Sequence, residues 1–129
     1  MLFGYNSFLG TFESLKLTME FNEEWEVFLL KASKHFKVMA NYEFLLFVTG
    51  IQELGQGYKT YSKQEKMDLI ALAQCKLLSI KGFMKEDGQD DEGWPKYIKL
   101  KNIEDLSPSQ KENLVRKALI EYFEPIISN

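Results

Sequence analysis

Hydrophobic positions are densest between Ser62 and Gly82, and the rest of the chain is read outward from that stretch. Met67, Leu69, Ile70, Leu72, Ala73, Cys75, Leu77, Leu78 and Ile80 point in nearly every direction around a helix of 3.6 residues per turn. Ser62 and Glu65 have the spacing of a capping box, and Gly82 follows Lys81 where a left-handed residue commonly ends a helix. The spacing predicts a central helix over 62–81, apolar most of the way round and therefore buried.

Upstream the period changes twice. Residues 1–13 show no clear period. From Ser14 to Phe21, Leu15, Leu17, Met19 and Phe21 alternate with polar residues, which predicts a half-buried strand over 14–21. Asn22 reads as an N-cap with Glu23 and Glu24 in the first turn, and Trp25, Phe28, Leu29, Ala32 and Phe36 then share a face of a helix ending near Lys37. The run Phe44–Val48 suits a buried strand or a buried helix; the spacing of Phe44, Phe47, Val48, Ile51 and Leu54 favours a helix from about Asn41 to Leu54. Gly55 and Gly57 end it, and the short link to Tyr61 predicts antiparallel packing on the central helix.

Downstream, FMKED and WPKYIKLK flank the turn-forming GQDDEG, which predicts a β-hairpin over 83–101 with strands near 83–87 and 94–101. Within the second strand Trp94, Ile98 and Leu100 fall on one face and Tyr97, Lys99 and Lys101 on the other, so Trp94 is expected inward and Tyr97 at least partly exposed. Ser107-Pro108 opens a last helix, with Gln110 completing a capping box and Pro125 closing it. The expected fold is α+β, mainly α: about four helices around the buried central helix 62–81, the hairpin 83–101, and the strand 14–21 available to extend the hairpin into a small sheet. At 129 residues the chain reads as one globular domain, 1–129, with 1–13 and 125–129 as the segments open to disorder.

Composition narrows the function classes. A hydrophobic content of 45% suits a folded globule, and a net charge of −3 gives no basic face for nucleic acid. A single cysteine forms no internal disulfide, so the cytoplasm is the expected compartment. The N-terminus has no basic residue before Lys16 and lacks the form of a secretory signal, and no stretch reaches the roughly 18 apolar residues of a membrane span.

Candidate chemistry is sparse. His35 and Cys75 are the single histidine and cysteine; Cys75 sits in the most apolar segment and His35 among lysines at a helix end, which disfavours a nucleophilic pair and leaves too few ligands for zinc. Counting twelve residues from Asp87 fails the calcium-loop rule, because Glu92 and Ile98 stand where Gly and Glu are needed; the acidic turn reads as a solvated tip. Gly50 and Gly55 have phosphate-loop spacing, but Gln56 stands where Lys is required, and helix termination explains both. No catalytic, cofactor-binding or metal-ligating residue is assigned. Tyr58, Tyr61 and Tyr97 are the candidate partner-binding residues, since tyrosine is enriched at interface cores.

GIQELGQ (50–56), YSKQEKMDLIALAQCKLLSIKGF (61–83), DEGWP (91–95) and ALIEYF (118–123) resemble an uncharacterised family of short bacterial proteins, over roughly residues 42–123. The resemblance implies no activity or ligand. It leaves two readings of residues 1–38, an appendage ahead of a native start at Met39 or part of the fold, and the signals in 14–37 favour the second. The leading expectation for function is a small cytoplasmic protein-interaction or scaffold protein that self-associates, with no cofactor, nucleic acid or membrane partner. A nucleic-acid-linked regulator of winged-helix-like layout is second; the acidic hairpin tip and the single arginine, Arg116, count against it. A small enzyme without a recognisable motif is third.

Overall fold

The computed structural model describes residues 2–127, with side-chain surroundings described at residue 13 and over 15–127. In chain order the elements are α1 (Leu2–Phe36), α2 (Tyr42–Leu54), α3 (Lys63–Ile80), β1 (Met84–Gln89), β2 (Pro95–Lys99), a short 3₁₀ turn (Ile103–Asp105) and α4 (Pro108–Ile127). The fold class is α+β, mainly α, as the periodicity predicts. The chain divides into two compact units, Met1–Val38 and Met39–Asn129.

The first unit is a single helix. The expected strand over 14–21 is helical, and among the described residues the one sheet has two strands. The alternation at Leu15, Leu17, Met19 and Phe21 is overridden by residue type: Leu, Lys, Met and Glu are strong helix formers, and no Gly or Pro interrupts residues 11–36. Asn22 is accordingly inside the helix instead of capping it. The expectation of disorder at 1–13 and 125–129 falls partly on Met1, Ser128 and Asn129, which lie outside the described residues; residues 2–13 and 125–127 are helical.

In the second unit the local stop and start signals act as read. Asn41 caps α2, its Oδ1 accepting from the Phe44 N–H at 2.8 Å, and left-handed Gly55 donates back to the Ile51 carbonyl to close it. At α3 the Ser62–Glu65 capping box is reciprocal: Glu65 N–H donates to Ser62 Oγ and Ser62 N–H donates to Glu65 Oε1. Its C-terminus is a Schellman motif, with Gly82 at φ 82°, Gly82 N–H bonded to the Ser79 carbonyl and Phe83 N–H to that of Leu78. Ser107 and Gln110 make the box that opens α4. Pro125 does not close α4 as expected: the helix carries it in the last turn and runs to Ile127.

Helix α3 packs against α2, α4 and β1. Leu69, Leu72, Ala73, Leu77 and Leu78 are its buried residues, and Leu45 and Leu46 of α2 and Val115, Ala118, Leu119 and Phe123 of α4 are likewise buried in the interior of this unit. The central helix is buried along most of its apolar positions, as expected, while Met67 and Ile80 remain exposed. Polar ties supplement the core. Tyr122 Oη donates to Glu53 Oε2 at 2.7 Å, Lys76 Nζ lies 3.8 Å from Glu53 Oε1, and Lys81 pairs with Glu121. Gly50 stands at the α2–α3 crossing and terminates nothing.

The hairpin corrects the expected strand faces. Met84, Lys85 and Glu86 pair with Lys99, Ile98 and Tyr97, and the register shifts between Glu86 and Gln89. Trp94 precedes β2, so strand alternation does not govern its direction. Both Trp94 and Tyr97 pack against a cluster of Leu54, Tyr61, Leu69 and Leu72, while Ile98 and Leu100 are exposed. Tyr97 Oη is fully buried without a hydrogen-bond partner among the described residues. Burial, with Glu86 and Glu53 adding repulsion, pushes the Tyr97 phenol up to about 12. Removing an unpartnered buried hydroxyl relieves its desolvation cost, so Tyr97→Phe is expected to raise stability by about 1 kcal/mol in urea melts. A loss of similar size would show that this hydroxyl has a partner.

Candidate functional site

The second unit carries an open cleft of about 700 Å³ between the α2–α3 link, the first half of α3 and the tip of the hairpin. Its walls arise from three local features. Gly55 and Gly57 are both left-handed, which turns the link away from α2 and lets Tyr61 return to the core, its hydroxyl donating to the Gly57 carbonyl at 2.9 Å. The capping box starts α3 at the cleft edge and places Glu65, Asp68, Ala71 and Leu72 along one side. The third wall is the turn Asp90–Trp94. Asp90 Oδ1 accepts from the N–H groups of both Glu92 and Trp94 at 2.9 Å, and Gly93 takes φ 87°. Gln56 approaches Gly93 closely enough that a β-carbon there would lie 3.9 Å from its amide nitrogen. The turn is thereby folded toward the α2–α3 link, with Trp94 and Pro95 among the lining residues.

The chemistry of this cleft is anionic and aromatic. Its lining carries four carboxylates, Glu65, Asp68, Asp90 and Glu92, against one ammonium, Lys59, which sits 5.6 Å from the centre of the Tyr61 ring. Apolar area comes from Leu54, Leu72, Trp94 and Pro95. Backbone and side-chain hydrogen bonds from Ser62 hold the Glu65 carboxyl below its ordinary range, the direction opposite to that of a general acid. Asp68 accepts from Gln64 Nε2, and Asp90 caps its own turn, so both are oriented with an oxygen left over. Among the described residues no group of three or more His, Cys, Asp or Glu stands close enough to hold a metal ion. Cys75 is half-buried and burial pushes its thiol up, away from the thiolate a nucleophile needs.

The three tyrosines singled out from the sequence do not form one surface. Tyr58 is 82% exposed, Tyr61 is a core residue, and Tyr97 is half-buried against the same cluster as Tyr61. Of the three, Tyr58 is the exposed one, and Tyr61 also lines the cleft. Sequence reasoning missed the pairing of the 90–95 turn with the start of α3; its one local signal is the Asp90–Trp94 spacing of a side chain capping its own turn. No protein-family model, curated protein or solved structure matches the chain.

Proposed function

We propose that this chain is a small cytoplasmic interaction protein whose second unit takes a positively charged, extended segment of a protein partner in the acidic cleft. The observation carrying this reading is that four carboxylates and the Trp94 ring line one cleft beside a single lysine. A lysine or arginine side chain entering there meets the carboxylates and the tryptophan that line the cleft, and cation–π attraction adds about 0.5–2 kcal/mol when the cation is desolvated. The cleft is open rather than enclosed, which suits a chain segment passing through it. The same charge repels phosphate, which weighs against the winged-helix reading. Cysteine usage supports a reducing compartment, and no described helix is long and apolar enough to cross a membrane.

The test is a titration of fluorescent Lys/Arg-rich and Glu-rich peptides against the full chain, with duplex DNA as a third probe. Basic peptides are expected to bind with an affinity that falls as salt rises. Asp68→Asn, Asp90→Asn and Glu92→Gln keep side-chain shape, and the amide introduced at position 90 keeps the oxygen that caps the turn. Each exposed charge contributes up to about 1 kcal/mol, so the triple variant should bind roughly 10-fold or more weakly. Binding of DNA, of the acidic peptide, or of the basic peptide equally by the triple variant contradicts the proposal.

A further inference from the structure

Lys59 is the one cation among the residues that line the cleft, and it already lies on an aromatic ring there. Its Nζ stands 5.6 Å from the centre of the Tyr61 ring, inside the roughly 6 Å over which a ring face attracts an ammonium. The ring is fixed. Its hydroxyl donates to the Gly57 carbonyl, it packs edge-on against Phe47 with centroids 5.9 Å apart, and Tyr61 belongs to the core cluster of Leu54, Leu69 and Leu72. The ammonium is tied less firmly. Lys59 is an exposed residue of the α2–α3 link, and among the described residues it takes part in no ion pair, although four carboxylates line the same cleft. Its charge is felt there: after the Ser62 hydrogen bonds, it helps to hold the Glu65 carboxyl below its ordinary range.

We propose that Lys59 is a built-in occupant of a cation subsite on the Tyr61 ring, and that a lysine or arginine of the partner segment displaces it. This rests on the reading of the cleft as a site for a basic segment, and adds where the first cation goes and what opposes its entry. The exchange is balanced in kind, since one cation replaces another on the same ring. Lys59 nevertheless competes at every partner concentration, because it stands two residues from Tyr61 in the chain and its local concentration is fixed by that link. Its charge also opposes an approaching cation: with Lys59 the lining sets four carboxylates against one ammonium, and without it the four stand alone. Other lysine–ring pairs, Lys66 over Phe47 and Lys101 over Phe83, fall outside this lining and offer no such competition. A segment bringing a single cation does no more than replace Lys59, so the cleft favours segments that carry several.

Fluorescence-anisotropy titrations of the full chain test this, with one Lys/Arg-rich peptide and one peptide holding a single lysine. Lys59→Met keeps an apolar stem beside the ring and removes the charge. It is expected to bind both peptides roughly 3-fold or more tightly at low salt, with a gain that shrinks as salt rises. Lys59→Arg keeps a cation beside the ring and should show no gain, and Lys66→Met, which removes a cation outside the lining, should gain less than Lys59→Met. Nuclear Overhauser contacts between the Lys59 ε-methylene and the Tyr61 ring protons are expected in the free chain and should vanish at saturating Lys/Arg-rich peptide. If the unaltered chain binds that peptide but Lys59→Met binds it no more tightly, this inference is overturned and the cleft reading stands. Overhauser contacts that persist at saturation, or an equal gain at Lys66→Met, have the same meaning. Absence of binding in both the unaltered chain and Lys59→Met removes the two readings together.

Discussion

Gly50→Ala is expected to destabilise the Met39–Asn129 unit by about 3 kcal/mol, although alanine ordinarily stabilises a helix interior by about 0.5–1 kcal/mol over glycine. The reason is the crossing of α2 on α3. A β-carbon at Gly50 would stand 2.2 Å from the Leu69 carbonyl oxygen and 2.7 Å from its carbon, both backbone atoms that no rotamer change can move aside. The two helices would have to separate, opening the interior around Leu45, Leu46, Leu69 and Leu72. Urea melts of the variant should show a lower midpoint at a similar slope. A gain in stability would show that the helices do not approach as closely as described.

Leu77→Ala is expected to cost about 2–5 kcal/mol, because Leu77 is fully buried in α3 and its truncation leaves a cavity among rigid neighbours. Met67 lies on the same helix but is 57% exposed, so Met67→Ala should fall within about 0.5 kcal/mol of the unaltered protein. The contrast between the two separates a helix buried on one broad face from one buried all round. Equal effects would contradict the observed orientation of α3.

What the sequence showed and what it hid divide by range. Asn41, the Ser62–Glu65 box, Gly82 and the Ser107–Gln110 box each act over three or four residues, so their types and spacing suffice to place helix ends. The hairpin was legible for the same reason, since GQDDEG supplies the turn residues. Helix α1 was not, because Leu15 and Met19 belong both to a period of two, with Leu17 and Phe21, and to a 3-4 spacing with Phe12. Eight residues cannot decide between those periods, and the absence of a third strand to pair with is not a local property.

The interior side of the hairpin was misread at Ile98 and Leu100, which are exposed, whereas Trp94 packs inward and Tyr97 is partly exposed as expected. Counting back by twos from Ile98 assumes that Trp94 belongs to the strand, whereas β2 begins at Pro95 and the register has already shifted beyond Glu86. Gly50 shows a further limit. Its role is a close approach between helices at Leu69, nineteen residues away in sequence, and spacing alone made it resemble a phosphate-loop glycine. The cleft has the same character. Its walls are drawn from residues 54–72 and 90–95, and the acidic turn reads as a solvated tip until the fold brings it against Gln56 and α3.

The most direct test of the cleft reading is a ¹⁵N–¹H correlation spectrum of the full chain titrated with a lysine- and arginine-rich peptide. The account predicts progressive shifts at the Trp94 indole N–H and at the amides of Gln56, Asp68, Ala71, Glu92 and Gly93, which surround the cleft, with little change along α4. A spectrum in which these signals stay fixed at saturating peptide, or in which the shifts gather on another surface, would contradict it.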